Sequence, residues 1–538
     1  MANKPTRTRP EPPLPNILDR AIAYVAPRTA ARRLVARHAL ALAGGYNGAR
    51  KDKAALSGWR TRAGSPESDV IADLPTLRER CADLERNAPV AAAVINTNAA
   101  HVIGTGLACN PQIDGAFLRL TPEQVKAWQD NTKRRFRTWA ASPDCDLARH
   151  LNFYGLQDQA LRGTMSRGDI FALTPRVKRE TGREQLALQM VEADRVANPR
   201  GSPGTATLTE GIDHDPDTGA ALRYHVLHQH PGDMRANAGQ GEWVHARGQR
   251  TGRRNVLHLF KQFRPGLRRG VPMLAPVIEP IKQVTRYTEA ELEAAVVSGL
   301  FAVFLRMDPI AFQDVFDDDA QSKIVDKATS WSGEMEGGKA INLLPGEEPV
   351  PSNPGRPNAQ FDPFVTACFR QIGMAVGMPY EVLVMCFQSS YSAAKGALMT
   401  AWRFFMGWRD WMATNFCQPV YELWLADEVA QGFIAAPGFF ADPVVRHAWC
   451  GATWVGDGPG SLDPEKEVRA AKGRVELGTS TLQAESLLHD GVDWETKHRQ
   501  VVEENTARRA AGLQVHGAAE QPPAGKPGSA APTNEEDT

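Results

Sequence analysis

An α+β fold is the expectation for this chain of 538 residues. Three observations carry it. Apolar residues recur at helical spacing towards both ends of the chain. Between Asp169 and Phe260 the texture changes to short β-rich runs separated by Gly, Pro and Asp turns. Two helical stretches then bracket an acidic, Gly- and Pro-rich insertion, an arrangement that suits an antiparallel helix pair capped by a small projecting unit.

The first 16 residues read as a basic, Pro-rich arm. Residues 17–42 carry Ile17, Ala21, Val25, Leu34 and Leu40 on one stripe, predicting a helix that Pro27 bends or splits. Lys51–Asp69 is polar and reads as extended. Leu74–Ile103 predicts a long helical region, with Pro75 near its start and Gly104-Thr-Gly106 as its stop. Thr121, Pro122 and Glu123 supply an N-cap, a first-turn proline and a first-turn acid for a helix to Ala140. Residues 153–168 give another helix. The β-rich runs are Ile170–Thr174, Leu186–Glu192, Tyr224–Leu227 and Val256–Phe260, with turns at Asp215-Pro-Asp-Thr-Gly219 and Pro231-Gly-Asp233.

Pro276–Phe304 returns to helix, with Ile281, Val284, Leu292 and Ala295 on one face. Residues 305–360 follow with two β-like pieces, Ala340–Leu344 and Pro349–Pro351. Asp362-Pro363 reads as the cap and first-turn proline of a helix ending at Gly377. After Ser392 the stripe Leu398, Trp402, Phe405, Met412, Phe416 and Val420 predicts a long aromatic helix, interrupted by Pro419. Trp449–Pro464 reads as a loop. Ser480–Gln483 reads as a capping box opening a helix that stops at Gly491, and Asp493–Ala511 as a last helix. Beyond Gly512 the Ala-, Pro- and Gly-rich tail reads as disordered.

The length exceeds what one hydrophobic core organises, so several structural units are expected. Lys plus Arg and Asp plus Glu both number 62. That balance argues against a protein built to grip phosphates, which carries a basic surplus. It is compatible with a conduit past which a polyanion slides. No run of about 18 apolar residues occurs, so no membrane span is expected. Seven cysteines lie far apart without a C-x-x-C, which reads as reduced thiols.

Several stretches touch on chemistry. Gly333 to Ala340 nearly spells a P-loop, but Ala340 replaces the magnesium-binding hydroxyl, and Glu334 and Glu336 sit where phosphates would go. Ser392-Ala-Ala-Lys395 matches an S-x-x-K nucleophile–base pair, without the companion S-D-N and K-T-G motifs. That leaves a serine hydrolase as one alternative reading, and a helix-capping Ser392 as the simpler one. On a strand, His228 and His230, close to His225, would share a face and could hold a metal, yet no further ligand pair completes a site. Asp314, Asp317, Asp318 and Asp319 could meet a hard cation but read as a solvated surface. Trp402, Trp408, Trp411 and Trp424 at helical spacing read as core or subunit interface rather than base-stacking platforms. No motif calls for a cofactor or a metal.

Co-linear stretches of the chain resemble lambda-family bacteriophage portal proteins. They include Asn87-Ala-Pro-Val-Ala to Gly104-Thr-Gly-Leu107, Val191-Glu-Ala-Asp-Arg-Val196, Asn255–Phe260 and Arg264-Pro-Gly-Leu-Arg-Arg-Gly-Val-Pro272. Phe361-Asp-Pro-Phe364, Gly377-Met-Pro-Tyr380, Tyr391-Ser-Ala-Ala-Lys395, Pro419–Trp424, Asp463-Pro464, Gly478-Thr479 and Asp493-Trp494 continue the order. Cys386–Ser390 departs from it, where a Gly- or Asp-containing turn is expected.

The resemblance implies a non-enzymatic virion protein assembled as a cyclic ring of twelve copies. It implies a wing (17–275), stem helices (276–304 and 361–378), a small α/β clip (305–360), a tunnel loop (379–392), a long helix (393–430) and a helical crown (431–511). Gln388, Ser389, Ser390, Tyr391, Ser392 and Lys395 would line the channel, and Asp314 and Asp317–Asp319 would form a partner face on the clip. Implied partners are the terminase large subunit, head-completion and tail-connector proteins, major capsid and scaffold proteins, and double-stranded DNA passing non-specifically, with no membrane. A different ring-forming virion connector is the other alternative, although connectors are usually much shorter.

Overall fold

A computed structural model describes residues 22–42, 63–180, 182–233, 240–299, 303–307, 347–351, 360–387, 390–458, 464–490 and 494–513. The N-terminal arm, the P-loop-like stretch 333–340, the acidic cluster 314–319, the β-like piece 340–344 and the tail beyond residue 513 lie outside the described residues. Met1–Ser65 and Pro66–Thr538 are separate compact units. The first holds the helix Pro27–Leu42. Helical residues 22–25 precede it and break at Ala26, so Pro27 splits the stretch as expected and opens the second helix, where a first-turn proline loses no intrahelical hydrogen bond.

In the second unit, Pro66–Val70 is a short helix, correcting the extended reading of that stretch. The long helical region from Leu74 is two helices, Leu74–Asn87 and Pro89–Val102. Between them Ala88 is extended (φ −110°, ψ 112°). Pro89 causes the break: it has no N–H to continue the ladder, and its ring pushes the preceding residue out of the helical region. Pro122–Ala141 begins with a full capping box, in which Thr121 Oγ1 accepts from the Gln124 amide and Gln124 Oε1 accepts from the Thr121 amide.

Strands are numbered in chain order. β1 (Ala108–Pro111) is followed, after the helix Phe153–Arg167, by β2 (Asp169–Leu173), β3 (Arg176–Lys178), β4 (Glu184–Leu186) and β5 (Gln189–Glu192). Next come β6 (Leu208–Thr209), β7 (Ile212–His214), β8 (Ala221–Leu227), β9 (Gly241–His245) and β10 (Val256–Phe260). β10, β2 and β5 form a three-stranded antiparallel sheet, and β6 to β9 a four-stranded meander. Alternation along β2 serves two cores. Ile170 and Ala172 face the large helical core, while Phe171 joins Val191, Tyr224, Val226 and Val256 between the sheets.

A 3₁₀ turn at Ala275–Val277 leads into the helix Ile278–Gly299. The helix does not reach Phe304 as expected. Val303 and Phe304 belong to β11 (Val303–Met307), which pairs with β12 (Glu347–Pro351). Phe361–Val376 is the partner helix, and its N-cap is Gln360 rather than Asp362. Asp362 instead lies in the first turn, where its charge suits the helix dipole.

Tyr391–Met412 continues through a π-helical turn, Ala413–Cys417, into Gln418–Ala430. Pro419 accounts for the π turn. It offers no N–H and its ring would strike the carbonyl four residues back, so the Gln418 amide reaches Ala413 instead. β13 (Ala452–Val455) corrects the loop reading of 449–464 by pairing antiparallel with β1. The helices Pro443–Trp449, Pro464–Glu476, Leu482–Asp490 and Trp494–Ala510 complete the chain. Thr481, not Ser480, caps Leu482–Asp490, its Oγ1 accepting from the Ala484 amide at 3.1 Å.

The large core centres on Phe136, which is buried against Trp139, Phe153, Tyr421, Trp424 and Trp454 at ring-centroid separations of 5.0–5.9 Å. Three of these rings come from beyond residue 420, so the C-terminal half closes the core that the N-terminal helices open. All seven cysteines are unpaired. Among the described residues no helix is long and apolar enough to cross a membrane.

Candidate functional site

The segment between Val376 and Lys395 connects two helices through a compact turn. Gly377 ends Phe361–Val376 in the left-handed region (φ 72°). A side chain there would also overlap the Phe404 ring. Pro379 then starts the short helix Tyr380–Leu383, with Val382 and Leu383 buried. The Cys386 amide closes this turn onto the Glu381 carbonyl at 3.0 Å, which puts Met385 at φ 53°. Glycine is the usual occupant of such a cap; an L-residue there costs about 1–2 kcal/mol. Met385 thus takes the position a glycine usually holds, one residue before the Cys386–Ser390 stretch, part of which lies outside the described residues. Met385 is 69% exposed and Phe387 48%.

Gln388 and Ser389 lie outside the described residues. Ser390 is exposed and occupies the N-cap position of Tyr391–Met412. Tyr391 is the first helical residue and Ser392 is exposed one position later, so Ser392 is not the cap. The Lys395 ammonium pairs with Glu467 Oε1 at 3.5 Å, joining this helix to Pro464–Glu476. That engagement counts against Lys395 as the base of a Ser392 nucleophile. Between Glu381 and Lys395 the chain carries no Asp, Glu, Lys or Arg.

The rest of the long helix is held in place from its far end. Trp408 and Trp424 are buried in the core, and Trp402 and Trp411 pack against it, so this stripe is packing. Arg409 donates to the carbonyls of His101 and Val102 at 2.9 and 3.0 Å, and to that of Asp457 at 2.9 Å. The first two are otherwise orphan acceptors in the last turn of Pro89–Val102. The Asp457 carboxylate in turn accepts from the Thr105 amide and hydroxyl, both at 2.9 Å.

A second polar centre escaped the sequence. Asp169, at the start of β2, is fully buried among Arg78, His258, Arg269 and the Gly270 amide. Arg78 Nη2 lies 2.7 Å from Oδ1, and Arg269 Nε 2.6 Å from Oδ2. Arg269, itself fully buried, also donates to the carbonyls of Ala193, Val196 and Glu210. Burial opposes the Asp169 charge, but Arg269, Arg78 and the His258 hydrogen bond outweigh it and hold the carboxyl well below the usual carboxylate range. Burial pushes His258 down despite its bond to Asp169. These partners stand 89 to 101 residues from Asp169 in the chain, so no local spacing announces them.

The histidine cluster does not assemble. His225 is buried in β8 with Nδ1 2.8 Å from the Ala197 carbonyl, whereas His228 and His230 lie beyond the strand's end. His230 Nδ1 accepts from the Gly232 amide at 3.0 Å, which leaves the proton of the neutral ring on Nε2. Among the described residues no group of three potential ligands could hold a metal. Asp314 and Asp317–Asp319 lie outside the described residues.

Comparison with known proteins gives a consistent result. Residues 52–409 match the family described as phage portal protein, lambda family. The portal protein of Escherichia phage N15 is 25% identical over 478 residues, covering 85% of this chain and 89% of that protein. Portal protein B of Escherichia phage lambda is 24% identical over the same span and shares. Among solved structures, a chain of the virion of a native gene transfer agent particle aligns with TM-score 0.44 and 12% identity, covering 82% of this chain and 94% of that one. A chain of the neck of the native gene transfer agent particle, computed with C12 symmetry, aligns with TM-score 0.42 and 12% identity over 76% and 93%. With two thirds of its length matched by the family, the chain belongs to the lambda family of phage portal proteins, structural components of the virion's head–tail connection and not enzymes.

Proposed function

We propose that this chain closes with identical copies into a dodecameric ring at one capsid vertex, through whose bore double-stranded DNA is packaged and later ejected. Family membership over residues 52–409 carries this reading, supported by coverage of 89% of the N15 and lambda portal proteins. Residues 17–275 then act as the wing, 276–304 and 361–378 as the stem, 305–360 as the clip, 379–392 as the tunnel loop, 393–430 as the long helix and 431–511 as the crown. Ser390, Tyr391, Ser392 and Lys395 line the bore together with Gln388 and Ser389. The uncharged run from Val382 to Ala394 favours this, because such a stretch releases no counterions from DNA, and Lys395 at its end has its charge paired with Glu467. Closure requires two different faces of each copy to meet around a rotation axis.

Negative-stain images of the purified chain are expected to show annuli with an open centre. A monomer under every assembly condition overturns the reading. The ring docks the terminase large subunit during packaging and head-completion or tail-connector proteins afterwards, and contacts major capsid and scaffold proteins at the vertex. Asp314 and Asp317–Asp319, repeated around the ring, form the face that a basic partner meets. Neutralising Asp317, Asp318 and Asp319 to Asn is expected to weaken terminase binding to the assembled ring by roughly tenfold, mainly through a slower association rate. Unchanged binding kinetics would remove the clip assignment and leave the ring untouched.

A further inference from the structure

Lys261 directly follows β10 and is half-buried. Its Nζ stands 3.4 Å from the centre of the Trp408 ring. Among the described residues no carboxylate pairs with this ammonium, whereas Lys126, Lys395 and Lys472 pair with Glu495, Glu467 and Glu476. Trp408 is 6% exposed, and its Nε1 is buried with no acceptor among the described residues. An amine and an indole N–H thus meet here without a counter-charge or an acceptor from the surrounding fold.

A lysine desolvated against an apolar face, with no counter-charge, is activated as a nucleophile. The ring keeps the ammonium in place without neutralising it. Burial alone moves its pKa, down to about 8, and no charged group of any described element adds to that shift. About one Lys261 amine in four is then unprotonated at about pH 7.5, against about one in a thousand for an ordinary lysine. We propose that Lys261 is an acylation site, its amine held by Trp408 and taking an acyl group from a small anionic donor of the acyl-phosphate class. With no carboxylate paired to the amine, nothing at its head repels such a donor. The amine lone pair attacks the acyl carbon. The N–C bond forms, the C–O bond to phosphate breaks, phosphate leaves with that electron pair, and the displaced amine proton goes to water. The product is a neutral amide, whose oxygen brings to the Trp408 ring the acceptor that Nε1 lacks. The site does not depend on ring closure.

The purified full-length chain is incubated with acetyl phosphate between about pH 7.5 and 10, and acetylation of each lysine is read by peptide mass spectrometry. Lys261 is expected to react at least tenfold faster than the exposed Lys126 and Lys472 at the lower pH. Its rate should level off above about pH 8–9 while theirs still climbs. The advantage should vanish in urea that unfolds the chain, a comparison that needs no variant. Trp408→Leu should slow Lys261 and leave Lys126 and Lys472 unchanged. A Lys261 rate no higher than that of Lys472, or one still climbing at pH 10, overturns the proposal. So does an advantage that survives in urea, since it then belongs to the local sequence and not to the fold. An undiminished Lys261 rate in folded Trp408→Leu overturns the part given to the ring.

Discussion

Asp169→Ala is expected to lower folding stability by about 3–5 kcal/mol, the usual cost of breaking a buried ion pair by removing one partner. The loss is large because the carboxylate is shared. Arg78 and Arg269 are both buried, and without Asp169 the Arg269 guanidinium retains only backbone carbonyls, while Arg78 keeps the Arg167 carbonyl and Asp194 at 3.7 Å. Asp169→Asn keeps the shape and one acceptor, and should fall between the alanine variant and the parent. Urea unfolding followed by tryptophan fluorescence reads both, and a midpoint unchanged in Asp169→Ala refutes the expectation.

The same centre sets a pH dependence. The Asp169 carboxyl titrates well below its unfolded value, so its contribution is complete above about pH 4 and disappears as the pH falls through the folded-state value. His258 is also shifted down. The folded protein therefore binds fewer protons than the unfolded chain just below about pH 6.5, and stability rises with pH across that window. His258→Phe should flatten the upper part of this acid limb and leave the lower part, which belongs to Asp169.

The second large effect is expected at Phe136. Its ring is 2% exposed and touches five other aromatic rings from four elements of the chain. Phe136→Ala should cost about 3–5 kcal/mol, part from lost transfer of the ring out of water and part from the cavity left between rigid neighbours. Phe440→Ala serves as the comparison: at 64% exposure it should change stability by no more than about 0.5 kcal/mol. Equal midpoints for the two variants would mean that the aromatic centre is not where the core is held.

What could be read from the chain beforehand follows a physical line. Thr121-Pro122-Glu123 and Gly377 are local signals, since capping and left-handed stops need only neighbouring residues, and the helices they mark stand as expected. β10 was equally legible, because apolar β-formers fill all but one of its positions. Ala452–Val455 was not, because its partner β1 lies more than 300 residues away and nothing nearby marks it as a strand. The break at Ala88 was present in the sequence as Pro89, but the run of alanines and valines that follows gave a stronger helical signal. In the segment after Gly377 the sequence singled out Gln388 to Ser392 and Lys395. Phe387 lay in the Cys386–Ser390 stretch marked as a departure, but Met385 was not singled out, since a Met in a glycine's backbone conformation leaves no mark in a composition.

The five-residue turn at Ala413–Cys417 fixes an angle as well as easing Pro419 into the helix. On an uninterrupted α-helix Trp424 would stand about 100° around the axis from Phe405. Both are buried in the same core, so the wider turn supplies the missing rotation. The two halves of this rod are thus phased like gear teeth. Their alignment survives loss of one residue between 413 and 417, since 18 steps of about 100° on a plain α-helix return to the same face, but loss of a second residue would swing Tyr421 and Trp424 about 100° out of mesh with Phe136.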